Sequence, residues 1–193
     1  MFVACAFYTP EYAKEVQHLV RSCKLLGVDL YLKSYGSTGS WVENTQIKPS
    51  FILHCLEKFT EKDILYVDAH AEIKREPELF KDGIEGDVAV YRFPHNRPIG
   101  DQILSGTMYF TNNNLSRKFV TGWVRRTEMI IEKGGDQEHL PYIFQEMAEV
   151  KRVQLPPEYV KIFDRKDMGN KPAVIQHNQA SRRLKKIVEG LRE

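Results

Sequence analysis

The stretch Asp63-Ile-Leu-Tyr-Val-Asp68-Ala-His70, running on to Pro77, limits the fold more than any other part of the chain. Its apolar run, Ile64 to Val67, stops abruptly at a carboxylate, and an imidazole follows two residues later. A short, β-rich run cut by a polar cluster reads as a buried strand of a parallel sheet, covered on both faces. Ligands of open α/β sheets bind just beyond the carboxyl ends of the strands. Asp68 and His70 then stand at that rim. Two apart on an extended chain, they project to the same side and can hold one divalent cation. The rival reading is an aspartate capping a turn, followed by an ordinary loop histidine. The rest of the chain has to decide between them.

Around this stretch, strands and helices alternate. Val3 to Tyr8 reads as a first strand ended by Thr9-Pro10. A helix is expected from about Glu11 to Leu26, with Tyr12, Val16, Leu19, Cys23 and Leu26 at helical spacing. Gly27 closes it, and Val28 to Tyr35 alternates as a second strand. This βαβ unit predicts a parallel pair with a right-handed crossover. Lys48-Pro49 is expected to open the next helix, since proline is tolerated in a first turn. Further strands are expected at Asp87 to Arg92 and Ser105 to Phe110. Helices are expected at Leu115 to Glu132 and Asp136 to Glu149, followed by short strands at Arg152 to Leu155 and Ala173 to His177. Ser181 to Glu193 reads as a basic helical tail. The polar loop Phe93 to Asp101, with His95, Asn96, Arg97 and Asp101, has the make-up of a lip over an acceptor.

With 193 residues the chain suits one α/β domain, 1–193, built on a mostly parallel central sheet flanked by helices. A net charge of +2 is too near zero to argue by itself for a nucleic-acid or membrane partner. There is no apolar run of transmembrane length. The amino terminus reads as a strand and lacks the basic start of a leader segment. Cys5, Cys23 and Cys55 lie among apolar neighbours with no paired spacing. They read as buried hydrophobes in a reducing, cytoplasmic compartment.

Ile64-Leu-Tyr-Val-Asp68-Ala-His70 resembles the strand and DxD signature of GT-A-fold glycosyltransferases, with His70 where the second aspartate usually stands. Tyr8-Thr9-Pro10, Trp41-x-x-Asn44-x-x-x-Lys48-Pro49, Gly135-Asp136-Gln137 and Val174-Ile-Gln-His177 resemble further segments of that family, in the same order. The resemblance covers most of residues 1 to 183. It implies a single GT-A (Rossmann-like) domain that moves a sugar from a nucleoside-diphosphate donor, UDP-linked by expectation, to an acceptor hydroxyl. It also implies that Asp68, His70 and His177 hold a divalent cation, and that Asp136 and Gln137 sit at the reacting sugar. Tyr8, Thr9, Trp41, Asn44, Lys48, Asp68 and Arg182 would then bind the donor. One carboxylate with two imidazoles suits Mn²⁺ better than oxygen-seeking Mg²⁺. The Asp-Gln element resembles that of retaining members.

Each residue also has a plainer reading. Asp136 follows two glycines and precedes a helix, where aspartate serves as an N-cap. His177 would be a hydrogen-bonded histidine at a strand end. Lys48 would be a solvated residue at a helix start, Trp41 a cover for the core edge, Tyr8 a packing aromatic. Arg182, Arg183, Lys185 and Lys186 would form a solvated face. Two other functions remain. A sugar nucleotidyltransferase shares the fold but carries a Gly-rich basic loop where this chain has Thr9-Pro10-Glu11. A non-catalytic module could bind a nucleotide-sugar or nucleic acid. Short forms of the family also resemble phage enzymes acting on hydroxymethylated DNA bases, so DNA is a possible acceptor.

Overall fold

Alternation along the central strands decides the layering. On one face Cys5, Ile64, Tyr66, Val88, Val90, Met108 and Phe110 join one apolar cluster; on the other Ala6, Leu65, Val67, Ala89 and Tyr109 join a second. A sheet whose strands bury both edges of this period-two pattern must be covered on both faces. The computed structural model, which describes residues 1–93, 102–130, 134–188 and 190, shows that arrangement.

The central sheet has six strands: β1 (Phe2–Tyr8), β2 (Leu30–Ser34), β3 (Asp63–Val67), β5 (Val88–Phe93), β6 (Gln102–Phe110) and β7 (Arg152–Gln154). Their spatial order is β2-β1-β3-β6-β5-β7. β1 pairs in parallel with β2 and β3, as the βαβ pattern predicts. The sheet is nonetheless mixed, because β6 runs antiparallel to both β3 and β5. A second, three-stranded sheet is formed by β4 (Ala71–Ile73), β8 (Lys161–Ile162) and β9 (Ile175–His177) in the order β4-β9-β8. The late strand expected at Ala173 to His177 is therefore shorter, and it belongs to this separate sheet.

Helix α1 (Val16–Leu26) is preceded by a 3-10 turn at Pro10–Tyr12, so the single helix expected from Glu11 is divided. It ends at Gly27, whose φ of 65° is the left-handed conformation favoured by glycine, with the Gly27 N–H donating to the Cys23 carbonyl. Helix α2 (Trp41–Lys58) corrects a larger expectation: it does not begin at Lys48-Pro49. Ser40 caps it, accepting from the Glu43 N–H at 3.3 Å, and Pro49 sits in its interior. A local serine cap outweighs the proline signal, and the cost is one missing intrahelical hydrogen bond. Helix α3 (Asn114–Met129) is capped by Asn113, which accepts from the Ser116 N–H at 2.9 Å. Helix α4 (Asp136–Glu146) follows, and α5 (Ser181–Val188) closes the described chain.

Helices α2, α3 and α4 bury Phe51, Ile52, Phe119, Trp123, Leu140 and Phe144 on the first face of the sheet. Leu19 and Cys23 of α1, with Ile73 and Ile175 of the second sheet, cover the other. Cys5, Cys23 and Cys55 are all buried free thiols. No described helix is long and apolar enough to cross a membrane. The expected acceptor lip with His95, Asn96, Arg97 and Asp101 lies outside the described residues, as do Ile131 and Glu132 and the end of the basic tail.

Candidate active site

The carboxyl end of β3 is where the site begins. The Asp68 N–H donates to the Gly106 carbonyl at 2.9 Å, the last link holding the chain to β6. The Ala71 N–H then turns back to the Asp68 carbonyl at 2.9 Å, so His70 is set by a tight turn before β4. β9 runs antiparallel to β4 with His177 opposite Ala71. That register brings the two imidazoles together from opposite ends of the sequence, with ring centroids 5.5 Å apart. Asp68, His70 and His177 each offer a ligand atom, all within 4.8 Å of one another.

The orientation of each group suits a cation. Asp68 Oδ1 is occupied by Lys48 Nζ at 3.1 Å and by the Tyr66 hydroxyl at 2.9 Å. Asp68 Oδ2 faces Gly106 instead, where a Cβ would lie 3.2 Å from it. His177 Nε2 is 2.8 Å from Thr107 Oγ1, while its Nδ1 is buried without a partner. If Nε2 carries the proton and donates to Thr107, Nδ1 holds a lone pair aimed at the same space over Gly106, an outer hydrogen bond of the kind that fixes ligating histidines. Burial pushes the His177 imidazole down to about 3 and also lowers that of His70. Both rings are therefore neutral at neutral pH and able to offer a lone pair. Burial by itself would raise the Asp68 carboxyl, but Lys48, the two histidines and the Tyr66 hydrogen bond outweigh it and hold it below its ordinary value. An orphaned buried nitrogen, a carboxylate oxygen and a glycine cradle thus fit a divalent cation.

That cradle yields a prediction. A methyl group at residue 106 would lie 3.0 Å from His177 Cε1 and 3.2 Å from both Asp68 Oδ2 and His177 Nδ1. Gly106→Ala is expected to weaken Mn²⁺ binding tenfold or more while leaving the unfolding midpoint nearly unchanged. Calorimetric titration with Mn²⁺ checks it, and unaltered affinity would show that the cation does not sit between these groups.

The second half of the site is built by α2 and α4. Lys48, far from being solvated, is 4% exposed; its ammonium lies 2.8 Å from Asp136 Oδ2, 3.1 Å from Asp68 Oδ1 and 2.9 Å from Ser105 Oγ. Starting α2 at Trp41 is what carries Lys48 inward on a helical turn. Asp136 is the first residue of α4, but Gly135 is its N-cap and the Asp136 side chain makes no cap bond. The carboxylate turns to Lys48 instead, because a buried ammonium attracts it more strongly than an amide does. Trp123 Nε1 donates to the Asp136 carbonyl at 3.0 Å and ties this turn to the core. Gln137 Oε1 accepts from the Ser105 N–H at 3.3 Å.

These groups line a cavity of about 310 Å³. Asp68, His70, His177, Lys48, Asp136 and Gln137 all border it, with Tyr8, Thr9, Trp41 and Asn44 along one wall. Asn44 is also a brace: its Oδ1 accepts from the Thr38 N–H at 2.9 Å and its Nδ2 donates to Ser37 Oγ at 3.1 Å. Arg182 does not border the cavity. It is exposed and ion-paired with Asp164, and Arg183 is paired with Glu15. Sequence reasoning missed Tyr66, which is buried two residues before Asp68. It also missed Ser105-Gly106-Thr107 on β6; a glycine inside a strand marks a close approach, and that signal was available.

The sequence matches no protein-family model and no curated protein. Solved structures do match the fold. A glycosyltransferase involved in glycosylation of the major capsid of PBCV-1 superposes with a TM-score of 0.72 over 98% of both chains, at 13% identity. The glycosyltransferase GlyE of Streptococcus pneumoniae TIGR4 gives a TM-score of 0.62 at 14% identity, and its apo form 0.61 at 16%. Each covers 92% of this chain, which spans only about half of the GlyE chains, 55% and 54%. The fold is therefore that of glycosyltransferases, GT-A-like in its layered α/β architecture.

Proposed function

We propose that residues 1–193 form one domain that transfers a sugar from a nucleoside-diphosphate donor, UDP-linked in the first instance, to an acceptor hydroxyl. The observation that carries this reading is the convergence of Asp68, His70 and His177 at the carboxyl end of β3, in a cavity of a glycosyltransferase fold. A divalent cation held there, Mn²⁺ by the donor set, supplies a Lewis acid for the departing diphosphate. The chain's own groups do the rest. Thr9, Tyr8 and Trp41 wall the space open to the nucleotide and sugar. Lys48 holds the Asp136 side chain in place. The amide of Gln137, its oxygen already engaged by Ser105, has its nitrogen left to donate to the sugar or leaving group.

Retention of configuration fits this arrangement. Among the described residues, the carboxylates lining the cavity are Asp68, assigned to the cation, Asp136, paired with Lys48, and Glu138, the one of them left to serve as an inverting base. Proton spectra of the first-formed product report the anomer directly. For the acceptor, hydroxyls of a protein-borne glycan and of hydroxymethylated DNA are the two classes to assay. The pairing of Arg182 and Arg183 with carboxylates leaves less positive charge for DNA.

The founding test is a thermal-shift titration with UDP, GDP, CDP and TDP, each with and without Mn²⁺. A ligand binding only the native state stabilises it by RT ln(1 + [L]/Kd), about 2.7 kcal/mol at a hundredfold excess over Kd. The expected result is a shift that needs both UDP and Mn²⁺. No shift with any pair would overturn the reading in favour of a domain that binds something else.

A further inference from the structure

We propose that Lys48 is a positioning residue, not a donor-phosphate ligand: it couples the cation-binding side chains to Asp136 through its two carboxylate contacts. The inference rests on the proposed transfer reaction for its kinetic consequence, but its core concerns metal binding alone.

The geometry leaves Lys48 little to offer a phosphate. Its ammonium nitrogen lies 2.8 Å from Asp136 Oδ2 and 3.1 Å from Asp68 Oδ1, and it donates to Ser105, whose Oγ lies at 2.9 Å and whose carbonyl lies at 3.2 Å. With a side chain 6% exposed, the ammonium is surrounded by protein partners before any ligand arrives. It also stands over the Tyr66 ring, 5.2 Å from its centroid, and Tyr66 donates to the same Asp68 oxygen. The charged partners of Lys48 are therefore Asp68 and Asp136, and Ser105 takes its remaining contact.

Charge then links the two halves of the site. Asp68 and Asp136 with Lys48 carry one net negative charge; without Lys48 they carry two, held in a buried setting where such charges interact strongly. A divalent cation arriving at Asp68 Oδ2 is repelled by the ammonium on Oδ1. Its arrival weakens the Lys48–Asp68 contact and turns the ammonium more fully onto Asp136. Loading the metal thus tightens the carboxylate that faces the sugar. By reciprocity, anything that strengthens Lys48–Asp136 favours the metal. A lysine whose task was to neutralise donor phosphate would show neither effect.

The experiment is a double-mutant cycle of Lys48→Met and Asp136→Asn, read first as Mn²⁺ Kd by water-proton relaxation with no nucleotide present. Lys48→Met is expected to tighten Mn²⁺ at least threefold, because a like charge has been removed. Asp136→Asn is expected to weaken Mn²⁺ at least threefold more when Lys48 is present than when it is Met, since the part of the coupling relayed through Lys48 is then lost as well as the direct attraction. Read in transfer, each single change is expected to lower kcat tenfold or more, with donor KM within threefold. The double variant should be no slower than the slower single one. Unchanged Mn²⁺ affinity in Lys48→Met, or a cycle that is additive within threefold, overturns the proposal. So does a rise in donor KM with kcat preserved. Should Lys48→Met fail to fold, Lys48→Arg replaces it: an equally charged fork on both carboxylates must leave Mn²⁺ affinity within twofold, and a tightening would sink the coupling. Because the metal cycle needs no turnover, an inactive protein that still shows it would overturn the transferase reading and leave the role of Lys48 standing.

Discussion

Asp68→Ala is expected to abolish metal-dependent transfer while the chain still folds. The substitution removes one of the three side chains that can hold a cation, and the only carboxylate among them. A bound cation contributes several kcal/mol of transition-state stabilisation, so its loss corresponds to a fall in kcat of roughly a thousandfold or more. The fold should survive because Lys48 keeps its second partner, Asp136 at 2.8 Å, and is not left as an uncompensated buried charge. The Asp68 side chain, 23% exposed, is also not part of the packed core. Steady-state turnover with and without Mn²⁺, alongside a urea melt, checks both halves. Wild-type turnover in this variant would refute the metal assignment.

Trp123→Ala should have the largest effect on stability and an indirect one on the site. Trp123 is fully buried between α3 and α4, beside Phe119, Leu140 and Phe144. Truncating such a residue costs about 3–5 kcal/mol, a large share of the roughly 5–15 kcal/mol that holds a domain together. It also orphans the Asp136 carbonyl, which accepts from Trp123 Nε1 at 3.0 Å. Trp123→Phe separates the two contributions: it retains most of the packing but loses the donor. The expected result is a severe drop in urea midpoint for the alanine variant. The phenylalanine variant should lose more transfer rate than stability, because the first turn of α4 carries Asp136 and Gln137. If the phenylalanine variant matched wild-type turnover, the tie between core and site would have no functional weight.

The local signals that succeeded were those settled within a few residues. Ile64 to Val67 is β3 because a short apolar run bounded by polar residues has few other solutions, and Gly27 ends α1 because its φ is positive. The signals that failed competed with a neighbour. Lys48-Pro49 looked like a helix start, but the Ser40 cap began the helix two turns earlier and left proline inside it. Asp136's rival reading as an N-cap gave way too, because a buried lysine from another helix claimed its carboxylate. The basic cluster after His177 looked available to a diphosphate, and Arg182 and Arg183 instead pair with Asp164 and Glu15.

Sequence by itself determined the residue chemistry of the site: an aspartate and a histidine at a strand end, a late histidine, and an Asp-Gln pair opening a helix. It determined the covered sheet as well, since alternation and helical spacing are properties of neighbouring residues. What only the tertiary structure decided is how those groups face one another. His70 and His177 meet through the antiparallel register of β4 and β9, a pairing between segments about a hundred residues apart. Lys48, Asp68, Asp136 and Ser105 meet because α2, β3, α4 and β6 converge on one buried point. Contacts of that kind depend on packing across the whole chain. No local pattern encodes them.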